Sequence, residues 1–173
     1  MQAVATRLGV TPMALYRHVG TKAELLDGLV ERLLGELAPL PAELSWDDRL
    51  AAAAHGIRAV ARRHPAVFPL LLERPAATPD ALGVRNDVYR ALAEAGVGQD
   101  ELARTERLIS TAILGFAVSE VAGRFAKHSR RLLDADFDRL LQLLRGFIAD
   151  EAKASAPAGG SARSAVKAAR KGR

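Results

Sequence analysis

Between Val10 and Leu26 the sequence reads VTPMALYRHVGTKAELL, and the side chains best suited to act on a partner are crowded into it. Thr11 and Pro12 suit the cap and first position of a helix: a Thr oxygen can accept a backbone N–H, and Pro loses nothing where no N–H bond is due. Leu15 and Val19, four apart, share a face and point inward with Val4, Ala5 and Leu8 of the preceding segment. Met13, Ala14 and Arg17 then lie on the opposite side, with Tyr16 and His18 on the flanks. Pro12, Met13 and Ala14 occupy the amino end, where Met or Ala can pack against a thymine methyl. Arg17 can reach a guanine or a phosphate, and the Tyr16 hydroxyl a phosphate. Lys22 adds its charge to the open N–H groups of the next helix start, a favourable place for a phosphate oxygen.

Other chemistry is missing. There is no Gly-x-Ser-x-Gly elbow, phosphate-binding Gly-Lys-Ser/Thr loop or His-Glu-x-x-His pair. His55 and His64 stand outside the i, i+4 spacing that puts two metal ligands on one helix face. Gly96-Val97-Gly98 lies between helices rather than after a strand, which argues against dinucleotide binding. Asp134, Asp136 and Asp138 lack the glycine and distal glutamate of a calcium loop, and read as the acidic start of a helix. Without cysteine, disulfides and thiolate metal sites are excluded. No metal, cofactor or catalytic residue is expected; an all-α enzyme would have only His55 poised as a base.

The elements that must position these residues are helices. Aromatic residues make up 5% of the chain, and Ala, Leu and Arg, all good helix formers, dominate it, which points to an all-α fold. A first helix ends at Gly9 and the second, capped by Thr11, at Gly20. A third, capped by Thr21, carries Leu25, Leu26, Leu29, Val30, Leu33, Leu34 and Leu37 on a broad apolar face and ends before Pro39 and Pro41. Ser45, with Asp48 three residues on, opens a helix to about Arg63. A short helix, Pro65 to Leu72, follows. Thr78-Pro79 caps one that stops at Gly96, and Asp100 caps a long one to about Phe125. The last carries Phe137, Leu140, Leu141, Leu144, Phe147 and Ile148 on one side, making eight in all.

Six basic residues and no acidic one lie between Lys153 and Arg173, so the net charge of +5 leaves −1 for the rest of the chain. That tail, rich in Ala, Ser and Gly, reads as disordered; it is either a solvated tail or a source of nonspecific affinity for phosphates. No apolar run is long enough to span a bilayer, so a cytoplasmic protein is expected. Along the long helix Thr111, Gly115, Ser119 and Gly123 recur every fourth residue. This ridge of small side chains serves either internal helix packing or a two-fold dimer seam.

The run AVATRLGVTPMALYRHVGTKAELLDGLVERLL resembles the DNA-binding segment of the tetracycline-repressor (TetR-type) family of bacterial transcriptional regulators, and the resemblance covers Gln2 to about Leu37. The resemblance rests on its Leu-Gly-Val turn, its Leu-Tyr-x-His-Val helix and the Lys that opens the next helix. It implies phosphate contacts for Thr11, Tyr16, His18 and Lys22, and base or groove contacts for Gln2, Pro12, Met13, Ala14 and Arg17. Family members carry a further helix ahead of this segment. The chain therefore starts inside the second, with apolar surface on Leu8, Leu15, Val19 and Leu26 expected to stay uncovered.

The remainder is similar to the regulatory domain of the tetracycline repressors, anchored on LSWDDRL around Trp46 and on Arg74-Pro75. That similarity implies a small-molecule effector held within one protomer, for which His55, Phe68, Leu72, Asn86, Tyr89 and Phe116 are the candidates. It also implies a homodimer seam on the last long helices, using Thr111, Gly115, Ser119, Gly123, Leu140 and Leu144. The histidines that hold a magnesium chelate in tetracycline repressors fall near Ala38 and Leu70, which cannot ligate a metal, so tetracycline is not the expected effector. The expectation is an all-α chain with a helix-turn-helix DNA-binding headpiece over residues 1–38, a helical effector-binding and dimerisation domain over 45–152, and the disordered basic tail over 153–173. Together they would make a ligand-responsive homodimeric repressor on a near-palindromic double-stranded DNA operator. The rival is a helical small-molecule-binding or interaction protein that has lost DNA binding.

Overall fold

The computed structural model describes residues 1–37, 39–41, 43–74 and 82–156. Ala38, Pro75, the Thr78-Pro79 step and the tail from residue 157 lie outside the described residues. Those described form eight helices and no strand: α1 Gln2–Leu8, α2 Pro12–Val19, α3 Lys22–Leu34, α4 Trp46–Arg63, α5 Leu70–Glu73, α6 Gly83–Glu94, α7 Gln99–Val121 and α8 Arg130–Ser155.

Two glycines shape the headpiece. Gly9 stands at φ 68°, ψ 25°, and the N–H groups of Gly9 and Val10 close α1 on the carbonyls of Thr6 and Ala5. This left-handed corner costs a residue without a Cβ little. Gly20, at φ 64° and ψ −131°, makes the sharper corner between α2 and α3. An added Cβ there would come within 2.1 Å of Glu24 Oε2.

Several expected boundaries shift. The short helix shrinks to Leu70–Glu73 because Pro69 has no N–H to continue a ladder from Pro65; His64 to Pro69 form consecutive turns instead. Gly98, not Asp100, caps α7, and Asp100 and Glu101 lie in its first turn, where acids complement the helix dipole. α7 ends at Val121, so Gly123, at φ 80°, stands beyond the helix rather than on its ridge. Ser129 caps α8 one turn ahead of Asp134, which leaves no acid in that first turn. α8 also continues three residues past the boundary expected at 152.

Helices α4, α6, α7 and α8 enclose the main core, built on Leu50, Leu92, Ile109, Phe137 and Ile148. A second cluster, Leu33, Val60, Ala61, Phe68 and Ala117, joins the end of α3 to α4, α5 and α7. Headpiece and larger domain therefore share apolar contacts across α3. Between α4, α7 and α8 lies a buried ion cluster. Arg58 donates from Nε to Glu120 Oε2 at 2.7 Å and from Nη2 to the Leu133 carbonyl at 2.8 Å, and its guanidinium lies 4.6 Å above the Phe137 ring. Asp134, read from sequence as part of an acidic helix start, instead sits 3.0 Å from Arg58 Nη1 and 2.6 Å from Arg62 Nη2.

Candidate DNA-reading surface and effector cavity

The second helix is fixed from both ends. Thr11 Oγ1 accepts the Ala14 N–H at 3.1 Å with Pro12 at the first position, and the Gly20 N–H returns to the Tyr16 carbonyl at 2.9 Å. The start of α3 carries a full capping box. Glu24 N–H donates to Thr21 Oγ1 at 3.2 Å, and Thr21 N–H to Glu24 Oε2 at 2.6 Å. The Thr21 N–H, and after it the hydroxyl, hold the Glu24 carboxyl below its ordinary value.

Of the five residues expected to point inward here, Ala5 and Leu15 are buried, Val19 is half-buried, and Val4 and Leu8 face solvent, Leu8 at 62%. Of the four expected to stay uncovered, Leu15 is therefore a correction: it packs under α1, while Val19 and Leu26 are half-buried. The opposite side is open. Met13 is 66% and Tyr16 46% exposed, and Gln2, Thr11, Arg17, His18 and Lys22 are exposed, with Pro12 and Ala14 half-buried. Arg17 and Lys22 form no ion pair among the described residues, so their charges are available to a phosphate. One polyvalent face thus combines three cationic or phenolic groups with two small apolar contacts at a helix amino end, a surface shaped for groove edges and backbone phosphates.

The cavity lies behind α3. About 310 Å³ in volume, it is walled by Leu33 and Leu34 at the end of α3, Leu37 just beyond it, Ile57 and Val60 of α4, Phe68 and Leu71, and Leu114 of α7. Its polar groups are Arg74, Arg85, Glu106 and Ser110. Ser110 donates its hydroxyl to Glu106 Oε1 at 2.8 Å, and Arg85 Nη2 stands 3.6 Å from Glu106 Oε2. Arg74 lines the cavity and also reaches the headpiece, pairing with Asp27 and donating to the Ala23 carbonyl at 3.3 Å.

Of the six effector candidates, Phe68 alone lines this cavity. Leu72 is 56% exposed and Asn86 faces solvent; Tyr89 is half-buried beside Arg85. His55 and Phe116 belong to the α4–α7–α8 side, both against Phe137 at 5.3 and 5.2 Å between ring centroids. The residues missed carried a signal. Glu106 falls in the buried stripe Leu102, Glu106, Ile109, Ile113 of α7, a charged residue at a position whose spacing demands an apolar one. The leucines at the end of α3 carry no such signal, since a broad apolar face does not say which helices will share it.

Thr111 and Gly115 are exposed, and nothing lies within 4 Å of a Cβ built on Gly115, so no helix among the described residues packs against that part of the ridge. Ser119, Leu140 and Leu144 are half-buried.

This is the fold of helix-turn-helix transcriptional regulators. Residues 38–152 match the family described as tetracyclin repressor-like, C-terminal domain. The chain belongs to the tetracycline-repressor-like (TetR) family. Among curated proteins it is 34% identical over 125 residues to an HTH-type transcriptional regulator of Saccharopolyspora erythraea, covering 72% of this chain and 53% of that one. It is 32% identical over 142 residues to the HTH-type transcriptional repressor DrrR1 of Streptomyces coeruleorubidus, covering 80% and 52%. The chain thus spans about half the length of these relatives. Among solved structures, Mycobacterium smegmatis BioQ superposes with a TM-score of 0.72 at 25% identity over 85% and 84% of the chains. BioQ with its double-stranded DNA operator gives 0.60 at 26% over 84% and 82%. Streptomyces coelicolor ActR in complex with actinorhodin gives 0.71 at 21% over 88% and 87%. No helix among the described residues is long and apolar enough to cross a membrane.

Proposed function

We propose that this chain is a homodimeric, ligand-responsive repressor of transcription that binds a near-palindromic operator. The observation that carries the reading is the double role of α3. Its amino end presents Lys22 beside the exposed face of α2, and its carboxyl end supplies Leu33 and Leu34 to the cavity wall, with Leu37 following just beyond the helix. A molecule entering the cavity must therefore press on the helix that sets the angle of the reading head.

Pro12, Met13, Ala14, Arg17 and Gln2 meet the groove, while Thr11, Tyr16, His18 and Lys22 hold phosphates. The structures of BioQ with its operator and of ActR with actinorhodin support the two halves of the reading, each for its own protein. The dimer seam runs along Thr111 and Gly115 of α7. The adjoining Leu108, 49% exposed, and Leu143 of α8, 58% exposed, leave apolar surface that a second copy would cover. Two recognition helices would then enter successive major grooves about 34–36 Å apart. A ligand that favours the wrong spacing lowers operator affinity by its differential binding to the two states.

Fluorescence anisotropy on DNA selected from a random pool, over a salt series, tests this. Lys22→Ala should lower the slope of log affinity against log salt by about one unit, and Tyr16→Phe should weaken binding without changing the selected sequence. Unchanged binding in both would refute the contact assignment; no binding of the parent chain at any salt would refute the repressor reading.

A further inference from the structure

The cavity walls are mostly aliphatic, and among their four polar groups stands one carboxylate. Glu106 is 7% exposed, in the middle of α7 and away from any solvent-facing side of that helix. A carboxylate offers about four acceptor sites. One of Glu106's is taken by the Ser110 hydroxyl, and Arg85 faces another from 3.6 Å, beyond hydrogen-bond distance. The Arg85 side chain is itself 55% exposed and leans on Tyr89, its guanidinium 5.5 Å from that ring. Moving it out into water therefore costs little. The other cation, Arg74, is already committed to Asp27 and the Ala23 carbonyl.

We propose that the effector is an aliphatic or alicyclic molecule carrying a protonated amine, whose ammonium replaces Arg85 as the partner of Glu106 while its apolar body fills the space between α3, α4 and α7. This rests on the reading of the cavity as the effector site. A charge-assisted hydrogen bond at a shielded carboxylate is about twice as strong as a neutral one, so an amine is favoured over a hydroxyl of equal size. A carboxylate ligand is opposed by Glu106 and finds only the half-exposed Arg85, since Arg74 is engaged by Asp27.

Calorimetry with octylammonium, 1-octanol and octanoate separates these cases on the intact chain. Octylammonium should bind about tenfold more tightly than 1-octanol, and octanoate most weakly. Glu106→Gln keeps an acceptor for Ser110 and should abolish the preference for the amine while leaving 1-octanol affinity unchanged. Arg85→Gln, at an exposed position, should act oppositely and tighten octylammonium. Octanoate binding best, with Arg85→Gln weakening it, would overturn the amine class while the effector cavity stands. An amine preference that survives in Glu106→Gln would overturn it as well, tracing the selectivity to surface charge. Failure of all three probes to bind at millimolar concentration would overturn the cavity reading itself, and the proposal with it.

Discussion

Replacing Glu120 by Gln tests whether the charged cluster between α4, α7 and α8 holds the larger domain together. Glu120 Oε1 and Oε2 receive both guanidinium groups, with Arg58 Nε at 2.7 Å and Arg62 Nη2 at 2.7 Å, and the side chains of Arg58 and Glu120 are 4% and 10% exposed. Burial alone would raise the Glu120 carboxyl, but the hydrogen bonds from Arg58 and Arg62 outweigh it and hold it below the ordinary glutamate range. In Glu120→Gln the amide NH₂ faces two guanidiniums and a buried Arg58 is left undercompensated. Removing one partner of a buried pair costs about 3–5 kcal/mol. Asp134, which still bridges both arginines, and the partly exposed Arg62 place the loss near the low end, about 3 kcal/mol. For a chain of this length each kcal/mol moves Tm by about 2–4 °C, so a fall of roughly 6–12 °C is expected. Asp134→Asn removes a carboxylate that is 46% exposed. It should cost only about 1 kcal/mol, a few degrees. Thermal denaturation followed by circular dichroism at one fixed protein concentration measures both, since the proposed dimer would make Tm concentration-dependent. A Glu120→Gln melt within 2 °C of the parent, or no larger than that of Asp134→Asn, would refute the assignment of a stabilising role to the buried pair.

Three further outcomes are expected. Gly20→Ala must hold an L side chain at φ 64° and push the Glu24 carboxylate out of its capping box; about 1–3 kcal/mol should be lost, with operator binding measured by anisotropy falling further than stability does. Arg74→Ala cuts the bond between cavity wall and α3, and should shrink the ligand-induced change in operator affinity by up to about tenfold, read from anisotropy with and without a cavity ligand. Glu36 accepts hydrogen bonds from His64 and then Arg63, which hold its carboxyl below the ordinary range. A depressed carboxyl contributes stability that is present above its unfolded value and lost as pH falls through the folded one. Chemical denaturation from neutral pH into the acid range should show this loss, smaller in Glu36→Gln.

The headpiece is legible in the sequence because its signals are local. Thr11-Pro12, Gly20 and Thr21 each specify their own turn through backbone hydrogen bonds within a few residues, and all three act as they read. What is long-range is not legible. Nothing near Asp134 says that two arginines from α4 will meet it, and the run of three aspartates invites a local account that the cap at Ser129 removes. The lining of this cavity is hidden for the same reason: His55 and Phe116 suit such a lining by residue type, but the rotation of α4 and α7 that turns Ile57, Val60, Glu106 and Leu114 toward it places them on the far side. Periodicity fixes that rotation only when the polar exception, Glu106, is taken as information rather than noise.

The placement of α3 also sets how a ligand could act in the proposed repressor. Its 13 residues span about 20 Å at 1.5 Å each. The carboxyl end is gripped twice: by Leu33 in the apolar junction, and just beyond the helix by Glu36, which pairs with Arg63 at 2.6 Å and with His64 at 3.0 Å. Nearer the amino end the grip comes from Arg74, a residue of the cavity wall, on Ala23 and Asp27. A ligand that displaces Arg74 or spreads Leu34 from Leu114 shifts one support while the other holds, so the helix tilts instead of translating. A tilt of about 5° over that length moves the Lys22 end by about 2 Å, and the capping box and the Gly20 corner carry α2 with it. In a two-fold dimer the displacement occurs at both half-sites, and it acts against a DNA spacing that cannot follow. The rigid corner at Gly20 is therefore as necessary to the response as the cavity is, which is why its substitution is expected to cost binding beyond what it costs in stability.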